Sequence, residues 1–223
     1  KLRTPLIAMH GSFTLLANYG GEMSAAEVEE FARTALAGIE RLKSEIDDIL
    51  QYINAPVLAL SGDTMTFAEF RRRLLEQSKQ LEIKELALRF DEGIDHMLVP
   101  LTPQALDTII WELLENSVKF HPGKQPRVQI DVGFESQRLI RLCIRDDGVT
   151  LSPEQLRTAW TPYIQGEKYF TGESPGMGLG LSLVATLVWQ VGGEVQLANR
   201  EDGSGVEVNI RLPLPEILDM TKA

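Results

Sequence analysis

Three alternating glycines in the last quarter of the sequence have a spacing that is typical of anion binding. Gly176, Gly178 and Gly180 are each separated by one residue, and they lead directly into an apolar stretch, 181–188, that predicts a helix. Glycine lets the backbone approach a ligand closely and adopt a positive φ. The start of a helix presents unpaired N–H groups and the positive end of its dipole. The run predicts a phosphate-binding loop, although a simple turn before a helix explains the glycines alone equally well.

A second group of polar residues lies on a helix predicted upstream of the glycines. Glu112, Asn116 and Lys119 are spaced by four and three residues, so their side chains project from one helix face. A carboxylate, an amide oxygen and an ammonium group on one stripe can hold a hydrated Mg²⁺ ion and phosphates, because Mg²⁺ takes few protein oxygens and keeps several waters. Glu112 and Asn116 are the candidate metal ligands. Taken alone, the stripe also fits an ordinary solvated helix face.

Asp146 and Gly148 follow the end of an apolar stretch that predicts a strand. A carboxylate at this position can accept a hydrogen bond from the exocyclic amine of a base. The glycine two residues later leaves room for a flat ring. A plain Asp-Gly turn is an equally good explanation of the pair by itself.

The segment between this pair and the glycines, 160–175, is polar, contains Gly166 and Gly172, and has no helical or strand period. Such a segment predicts a mobile lid, with Lys168 available to a phosphate group. A plain surface loop is the alternative.

Two helices at the amino end come before these motifs. Apolar residues recur every three or four positions over 2–18 and again up to about residue 53, with a break at Gly20 and Gly21. Ser24 and Glu27 have the spacing of a capping box at the start of the second helix. Each helix carries one apolar seam, which the pairing of two copies into a four-helix bundle would cover. We therefore expect a homodimer, and the alternative is that the seam packs on the rest of the chain.

A stretch rich in Pro, Gly and Asp, 55–63, is predicted to separate this hairpin from a region of mixed helices and strands. We place a helical hairpin domain at 1–58 and a second domain at 64–218. Strand pairs mixed with helices predict an antiparallel or mixed sheet with helices on one face, so the chain is of the α+β class. The predicted helices of the second domain are 67–81, 103–120 and 181–188, and the predicted strands are 86–90, 97–100, 127–134, 138–145, 194–198 and 206–212.

Composition excludes some classes of function. The net charge of −10 over 223 residues argues against a general nucleic-acid surface, which would need a basic face. The single cysteine, Cys143, lies in a predicted strand and fits a reducing compartment. The sequence has no run of 18 apolar residues and no signal-peptide pattern, so we expect no membrane segment in this chain and a cytoplasmic location. Because it begins at Lys1, we expect a fragment of a longer protein, whose attachment to a membrane stays open.

In this order, the polar helix face, the Asp-x-Gly pair, the lid and the alternating glycines resemble the nucleotide-binding boxes of sensor histidine kinases. The resemblance covers about residues 65–215 and implies the Bergerat-type α/β sandwich shared with gyrase-type, Hsp90-type and MutL-type ATPases. It implies ATP and Mg²⁺ as ligands, with Asn116 on the metal and Glu112 nearby, and with Asp146 selecting adenine. The further nucleotide-binding residues that it implies are Gly148, Lys168, Gly176, Gly178 and Gly180. Glu112 and Lys119 are implied as catalytic residues, with Lys119 as a charge partner of the phosphates.

The amino end adds a second resemblance. Residues 2–6, Leu-Arg-Thr-Pro-Leu, resemble the end of the phosphoacceptor motif, whose histidine would be the residue just before Lys1. Thr4 would match the position that orients water for dephosphorylation of a partner. The implied reaction passes the γ-phosphate of ATP to that histidine and then to an aspartate of a response-regulator receiver domain. A non-catalytic phosphotransfer or scaffold protein of the same architecture, and a gyrase-like ATPase that uses Glu112, are the alternatives.

Three residues depart from the family pattern. Lys1 stands where the family usually has an acid, and a lysine cannot act as the base that polarises the histidine at neutral pH. Thr150 replaces the second glycine of the Asp-x-Gly-x-Gly pattern, so the adenine pocket need not have the shape that is usual in the family. Glu112 stands where many of these kinases have Asn. It matches the water-activating Glu of gyrase-type ATPases, or it serves as an alternative ligand around the metal.

Overall fold

A computed structural model of the chain describes residues 2–60, 63–164 and 177–214. It divides into two compact units, of which the first includes residues up to Ile53 and the second begins at Asn54. In the described residues, no helix is both long and apolar enough to cross a membrane.

The first unit contains helix α1, Arg3–Tyr19, and most of helix α2, Ala25–Leu60. The predicted capping box at the start of α2 is confirmed. The Ser24 N–H donates to Glu27 Oε2 over 2.8 Å, and the Glu27 N–H donates to Ser24 Oγ over 3.3 Å. These bonds satisfy amide groups that have no partner inside the helix, which fixes where α2 begins.

The predicted end of α2 near residue 53 is wrong, because the helix continues to Leu60 with Pro56 inside it. A proline in a helix removes one backbone hydrogen bond and disfavours continuation. Here Ala55 and Ala59, on either side of the proline, are buried. Burial of this stretch offsets the missing bond, so the predicted break over 55–63 begins later than its composition indicated.

The second unit contains a mixed sheet, as expected. Its strand order is β1-β2-β3-β5-β4, in which β1 pairs parallel with β2 and every other neighbouring pair is antiparallel. The strands are β1 Glu85–Phe90, β2 Arg127–Ser136, β3 Leu139–Asp146, β4 Glu194–Asn199 and β5 Val206–Pro213.

The predicted strand over 97–100 is wrong. This segment forms only an isolated antiparallel bridge between Thr66 and Leu98. Two backbone bonds flank the bridge, from Phe67 N–H to the Met97 carbonyl at 3.0 Å and from Val99 N–H to the Met65 carbonyl at 2.9 Å. The apolar run therefore pairs with the residues that precede a helix instead of joining the sheet.

Three helices, α3 Phe67–Gln80, α4 Pro103–Phe120 and α6 Gly180–Gln190, provide the apolar layer that covers one face of the sheet. Alternate residues of the central strands are buried with them, as period-two patterning requires. A six-residue helix, α5 Pro153–Thr158, was not predicted, because it is too short to show a helical period. The fully buried large residues of this core include Phe67, Leu74, Leu106, Ile109, Ile110, Leu114, Ile130, Ile140, Leu187, Ile210 and Leu212.

Candidate nucleotide-binding site

Helix α4 presents the predicted polar stripe. The Thr102 hydroxyl accepts a hydrogen bond from the Ala105 N–H over 3.2 Å at the start of the helix. Because this cap and the buried apolar face fix the rotation of α4, Glu112, Asn116 and Lys119 are half-buried along one side, whereas Glu115 is exposed. The three members of the stripe therefore lie on one partly covered side of α4, as their spacing predicts.

Asp146 ends β3 next to this helix. It is only 8% exposed, and both carboxylate oxygens accept hydrogen bonds. Oδ2 accepts from the Ser117 hydroxyl of α4 over 2.9 Å, and Oδ1 accepts from the Gly148 N–H over 2.9 Å. Each carboxylate oxygen has two acceptor sites, so capacity remains for the amine of a base. Sequence reasoning missed Ser117, although a hydroxyl directly after Asn116 was the available signal.

The start of α6 lies against Glu112. A Cβ built on Gly180, the first residue of α6, would lie 3.1 Å from the Glu112 carboxyl carbon and closer still to one carboxylate oxygen. Glycine therefore lets the start of α6 and the carboxylate lie this close, and a side chain here would push the end of Glu112 aside. The partial positive charge at the start of a helix favours a nearby anion, which explains why the carboxylate is tolerated there.

Gly178 has a φ of 76°, a left-handed conformation that favours glycine. Gly176, Lys168, Lys1 and most of the predicted lid lie outside the described residues. Thr4 belongs to the first unit, where it is exposed in the first turn of α1.

The loop after Asp146 accommodates Thr150, which stands where the family pattern has a glycine. Thr150 is exposed, and it is not among the described non-glycine residues with positive φ, which are Glu82, Lys124 and Tyr163. A residue with an ordinary backbone conformation and an exposed side chain does not need to be glycine. Gly148, in contrast, is buried.

His121 and Asp147 form a further link that sequence reasoning missed. His121 follows α4, and its Nδ1 accepts from the N–H groups of Gly123 at 3.1 Å and Gln125 at 3.3 Å. These two donors place the ring proton on Nε2, which lies 3.5 Å from Asp147 Oδ1. The same carboxylate oxygen accepts from the Arg127 N–H over 2.8 Å. The end of α4, the start of β2 and the Asp146–Gly148 turn are thus joined through the His121 imidazole and the Asp147 carboxylate.

The candidate ligands Glu112 and Asn116 fit an Mg²⁺ ion that is also held by waters and phosphate oxygens. Among the described residues, no group of three or more His, Cys, Asp or Glu side chains could hold a metal ion. Glu112 and Asn116 provide one carboxylate and one amide oxygen, too few for a site made of protein ligands alone. Mg²⁺ that keeps waters and shares phosphate oxygens needs no more than this.

Comparison with known proteins agrees with the geometry. The family model described as histidine kinase-, DNA gyrase B-, and HSP90-like ATPase matches residues 102–216. This range starts at the cap of α4 and includes Asp146 and the alternating glycines.

The similar proteins are sensor kinases. Sensor histidine kinase ZraS of Escherichia coli O157:H7 is 27% identical over 217 residues, covering 96% of this chain and 44% of ZraS. Sensor histidine kinase CpxA of Escherichia coli K12 is 29% identical over 222 residues, covering 96% of this chain and 45% of CpxA. The chain thus spans less than half the length of these relatives. A solved structure of histidine kinase ThkA in complex with response regulator protein TrrA has the same fold, with a TM-score of 0.64 at 15% identity over 96% of this chain and 59% of that chain.

Proposed function

This chain belongs to the family of histidine kinase-, DNA gyrase B- and HSP90-like ATPases, and we propose that it is the core of an ATP-dependent histidine autokinase. The observation that supports this most is the buried Asp146 carboxylate, held by Ser117 and Gly148 beside the helix face that carries Asn116 and Glu112. The similarity to sensor histidine kinases over 96% of the chain supports the kinase over other members of the family.

In this proposal the residues take the roles that the resemblance to sensor histidine kinases implies. The Asp146 carboxylate accepts the adenine amine, and Gly148 leaves space for the ring. Asn116, with Glu112 nearby, holds Mg²⁺, which neutralises phosphate charge when bound. Gly176, Gly178 and Gly180 surround the phosphates, with Lys119 and Lys168 as charge partners. Phosphoryl transfer depends mainly on positioning and charge neutralisation, which such a set of groups supplies.

The proposed acceptor is a histidine directly before Lys1, and the proposed partner is a receiver domain with an acceptor aspartate. The solved complex of ThkA with response regulator TrrA supports a partner of this kind. On this chain the partner would dock on the amino end of α1, where Thr4 is exposed and where an open cavity of about 440 Å³ is lined by Arg3, Leu6, Ile7, His10 and Gly11. We place the reaction in the cytoplasm, because the single cysteine, Cys143, fits a reducing compartment.

A homodimer is part of the same proposal. Large apolar side chains of the hairpin are exposed in the single chain, among them Phe13, Leu36, Ile39, Ile46, Leu50 and Ile53. Pairing of two hairpins would bury them. Sedimentation of the parent chain should give a dimer, and Ile39→Glu with Ile46→Glu should give a monomer that still binds nucleotide. A parent chain that is monomeric at tens of micromolar would contradict this part.

The direct test is calorimetric binding of a non-hydrolysable ATP analogue, with and without Mg²⁺. Asp146→Ala should abolish binding, and Asn116→Ala should remove its dependence on Mg²⁺. Glu115→Ala, one residue away on the exposed side of α4, is the matched control and should bind as the parent does. If the parent chain binds no nucleotide, the kinase proposal is wrong, and the result favours the non-catalytic phosphotransfer or scaffold protein.

Replacing Glu112, whose carboxylate lies at the start of α6, distinguishes the kinase from the gyrase-like ATPase. The kinase would use this carboxylate as a metal ligand, and the ATPase would use it to activate water. In the full-length protein, Glu112→Gln should raise the Mg²⁺ concentration needed for histidine phosphorylation if Glu112 is a metal ligand. Loss of ATP hydrolysis with unchanged Mg²⁺ dependence, together with a residue other than histidine before Lys1, would favour the ATPase.

A further inference from the structure

The turn between β4 and β5 lies against the loop that carries Asp146. We call residues 199–205 the clamp turn and residues 146–151 the adenine loop. The Asn199 side chain makes a double hydrogen bond with the backbone of Leu151. The Leu151 N–H donates to Asn199 Oδ1 over 2.7 Å, and Asn199 Nδ2 donates to the Leu151 carbonyl over 2.8 Å. One amide side chain thereby fixes the far end of the adenine loop.

Arg200 and Gly205 act on the near end of this loop. Arg200 Nη1 donates to the Asp146 carbonyl over 3.2 Å. A Cβ on Gly205 would lie 2.7 Å from the Asp146 carbonyl carbon, and Gly205 has a φ of 103°, so only glycine fits here. The Ser204 hydroxyl donates to the Asp147 carbonyl over 3.3 Å. Both ends of the adenine loop are therefore held by residues that lie at least 48 positions further along the chain.

Arg200 is itself held in place by its own turn. Its Nε and Nη2 donate to the two carboxylate oxygens of Asp202 over 2.9 and 3.0 Å. Its N–H donates to the Gly205 carbonyl over 3.1 Å. This bidentate pairing leaves Nη1 directed at Asp146, so a planar guanidinium is needed and an ammonium group would satisfy only one side.

The hydrogen bond from Arg200 to the Asp146 carbonyl fixes the backbone of Asp146 and so the direction in which its side chain leaves that backbone. The direction of Cβ depends on the backbone of Asp146, and Ser117 and Gly148 fix only the carboxylate end. We propose that Asn199 and Arg200 are positioning residues that set the nucleobase specificity of Asp146, an inference that rests on the proposed binding of adenine there. An ionised carboxylate only accepts hydrogen bonds, so it selects a 6-amino purine and rejects a 6-oxo purine, whose O6 is also an acceptor.

Selectivity of this kind requires a fixed acceptor. A site built around a particular hydrogen bond rejects analogues that cannot make it, because a buried polar group is then left unpaired. A carboxylate that is free to rotate finds water or another partner, which lowers the affinity for adenine and removes the penalty for guanine. Loss of the clamp should therefore change the ratio of the two affinities, whereas a general loss of stability would lower both alike.

The experiment measures the dissociation constants of non-hydrolysable ATP and GTP analogues with the whole chain, well below the melting temperature of every variant. The variants are Asn199→Asp, Arg200→Ala and Arg200→Lys. Asn199→Asp has the same size, keeps the acceptor for the Leu151 N–H, and places a second acceptor against the Leu151 carbonyl. Glu201→Ala, exposed on the same turn, is the control.

The expected result is a preference for ATP over GTP that falls about tenfold or more in Arg200→Ala and Asn199→Asp, the size expected for one hydrogen bond to a charged group. Arg200→Lys should recover part of the preference, and Glu201→Ala should keep all of it. Equal losses for both analogues, or an unchanged preference, would overturn the inference while leaving the proposed function intact. A parent chain that binds neither analogue would overturn both.

Discussion

The Ser117 hydroxyl donates to Oδ2 of Asp146 over 2.9 Å, and this bond joins α4 to the end of β3. The same hydroxyl lies 3.1 Å from the Leu113 carbonyl, so its single proton is shared between a backbone oxygen and a charged carboxylate. Both residues are buried. The bond holds the candidate adenine acceptor in one orientation against the helix that also carries Asn116, which links the candidate base pocket to the candidate metal ligands.

Replacement of Ser117 by Ala should weaken nucleotide binding without unfolding the chain. A hydrogen bond to a charged group contributes about 1.5–3 kcal/mol, so we expect the dissociation constant of an ATP analogue to rise about tenfold or more. Calorimetry measures it. Ser78→Ala is the matched control, because Ser78 is about equally buried and, among the described residues, its hydroxyl bonds only to the Leu75 carbonyl, over 3.0 Å. An equal effect of the two substitutions would show that Ser117 has no special role.

Gly180→Ala should destabilise the second unit through its overlap with the Glu112 carboxylate. Because the overlapping group is the end of a flexible side chain, the cost is at the low end of the range for overpacking, about 1 kcal/mol of unfolding free energy, measured by urea denaturation. Combining it with Glu112→Ala should relieve most of that cost, giving a coupling energy of about 0.5 kcal/mol or more in a double-mutant cycle. Gly203→Ala is the control, because the space around its Cβ position is open. Strict additivity of the two substitutions would contradict the overlap.

Two replacements of His121 should separate its two contacts. An Asn side chain can place an acceptor where Nδ1 lies, and a Gln side chain can place a donor where Nε2 lies. Hydrogen exchange at the amides of Gly123 and Gln125 should therefore stay slow in His121→Asn and become faster in His121→Gln. We expect a difference of about 1 kcal/mol in opening free energy, the value of a typical hydrogen bond. The same exchange rates in both variants would refute the arrangement.

The Cys143 thiol should be unreactive at neutral pH. Burial raises the pKa of Cys143 to about 11, although the positive charge of Arg145 opposes the shift. At pH 8 only about one thiol in a thousand is ionised, so alkylation should be about 100-fold slower than for an exposed cysteine. The rate should rise about tenfold per pH unit towards pH 11. Unfolding in urea should restore an ordinary rate.

A Cys143→Ser chain that also carries Glu201→Cys supplies the exposed reference thiol on the same protein. Iodoacetamide labelling followed by mass spectrometry measures both rates. Fast labelling of Cys143 in the folded chain at pH 8 would contradict its burial in β3.

Local features of the fold could be predicted from the sequence because they depend on residues that are close along the chain. The Ser24–Glu27 capping box, the start of α4 at Pro103, and the polar stripe on α4 all follow from helix geometry. The order of the nucleotide-binding motifs was equally visible. Where local patterns were ambiguous, the prediction failed, as for the apolar run at 97–100 and for the continuation of α2 past Pro56.

Only the tertiary structure decided which distant residues meet. The pairing of β3 with β5 brings the clamp turn against the adenine loop, so that Asn199 contacts Leu151 and Arg200 contacts Asp146. Packing of α4 beside β3 and α6 brings Ser117 to Asp146 and Glu112 to Gly180. Side-chain periodicity shows which face of an element is buried, but it contains no information about which strand or helix lies opposite. The sequence alone therefore indicated the chemical groups of the candidate site, and the order of the strands determined what holds them in place.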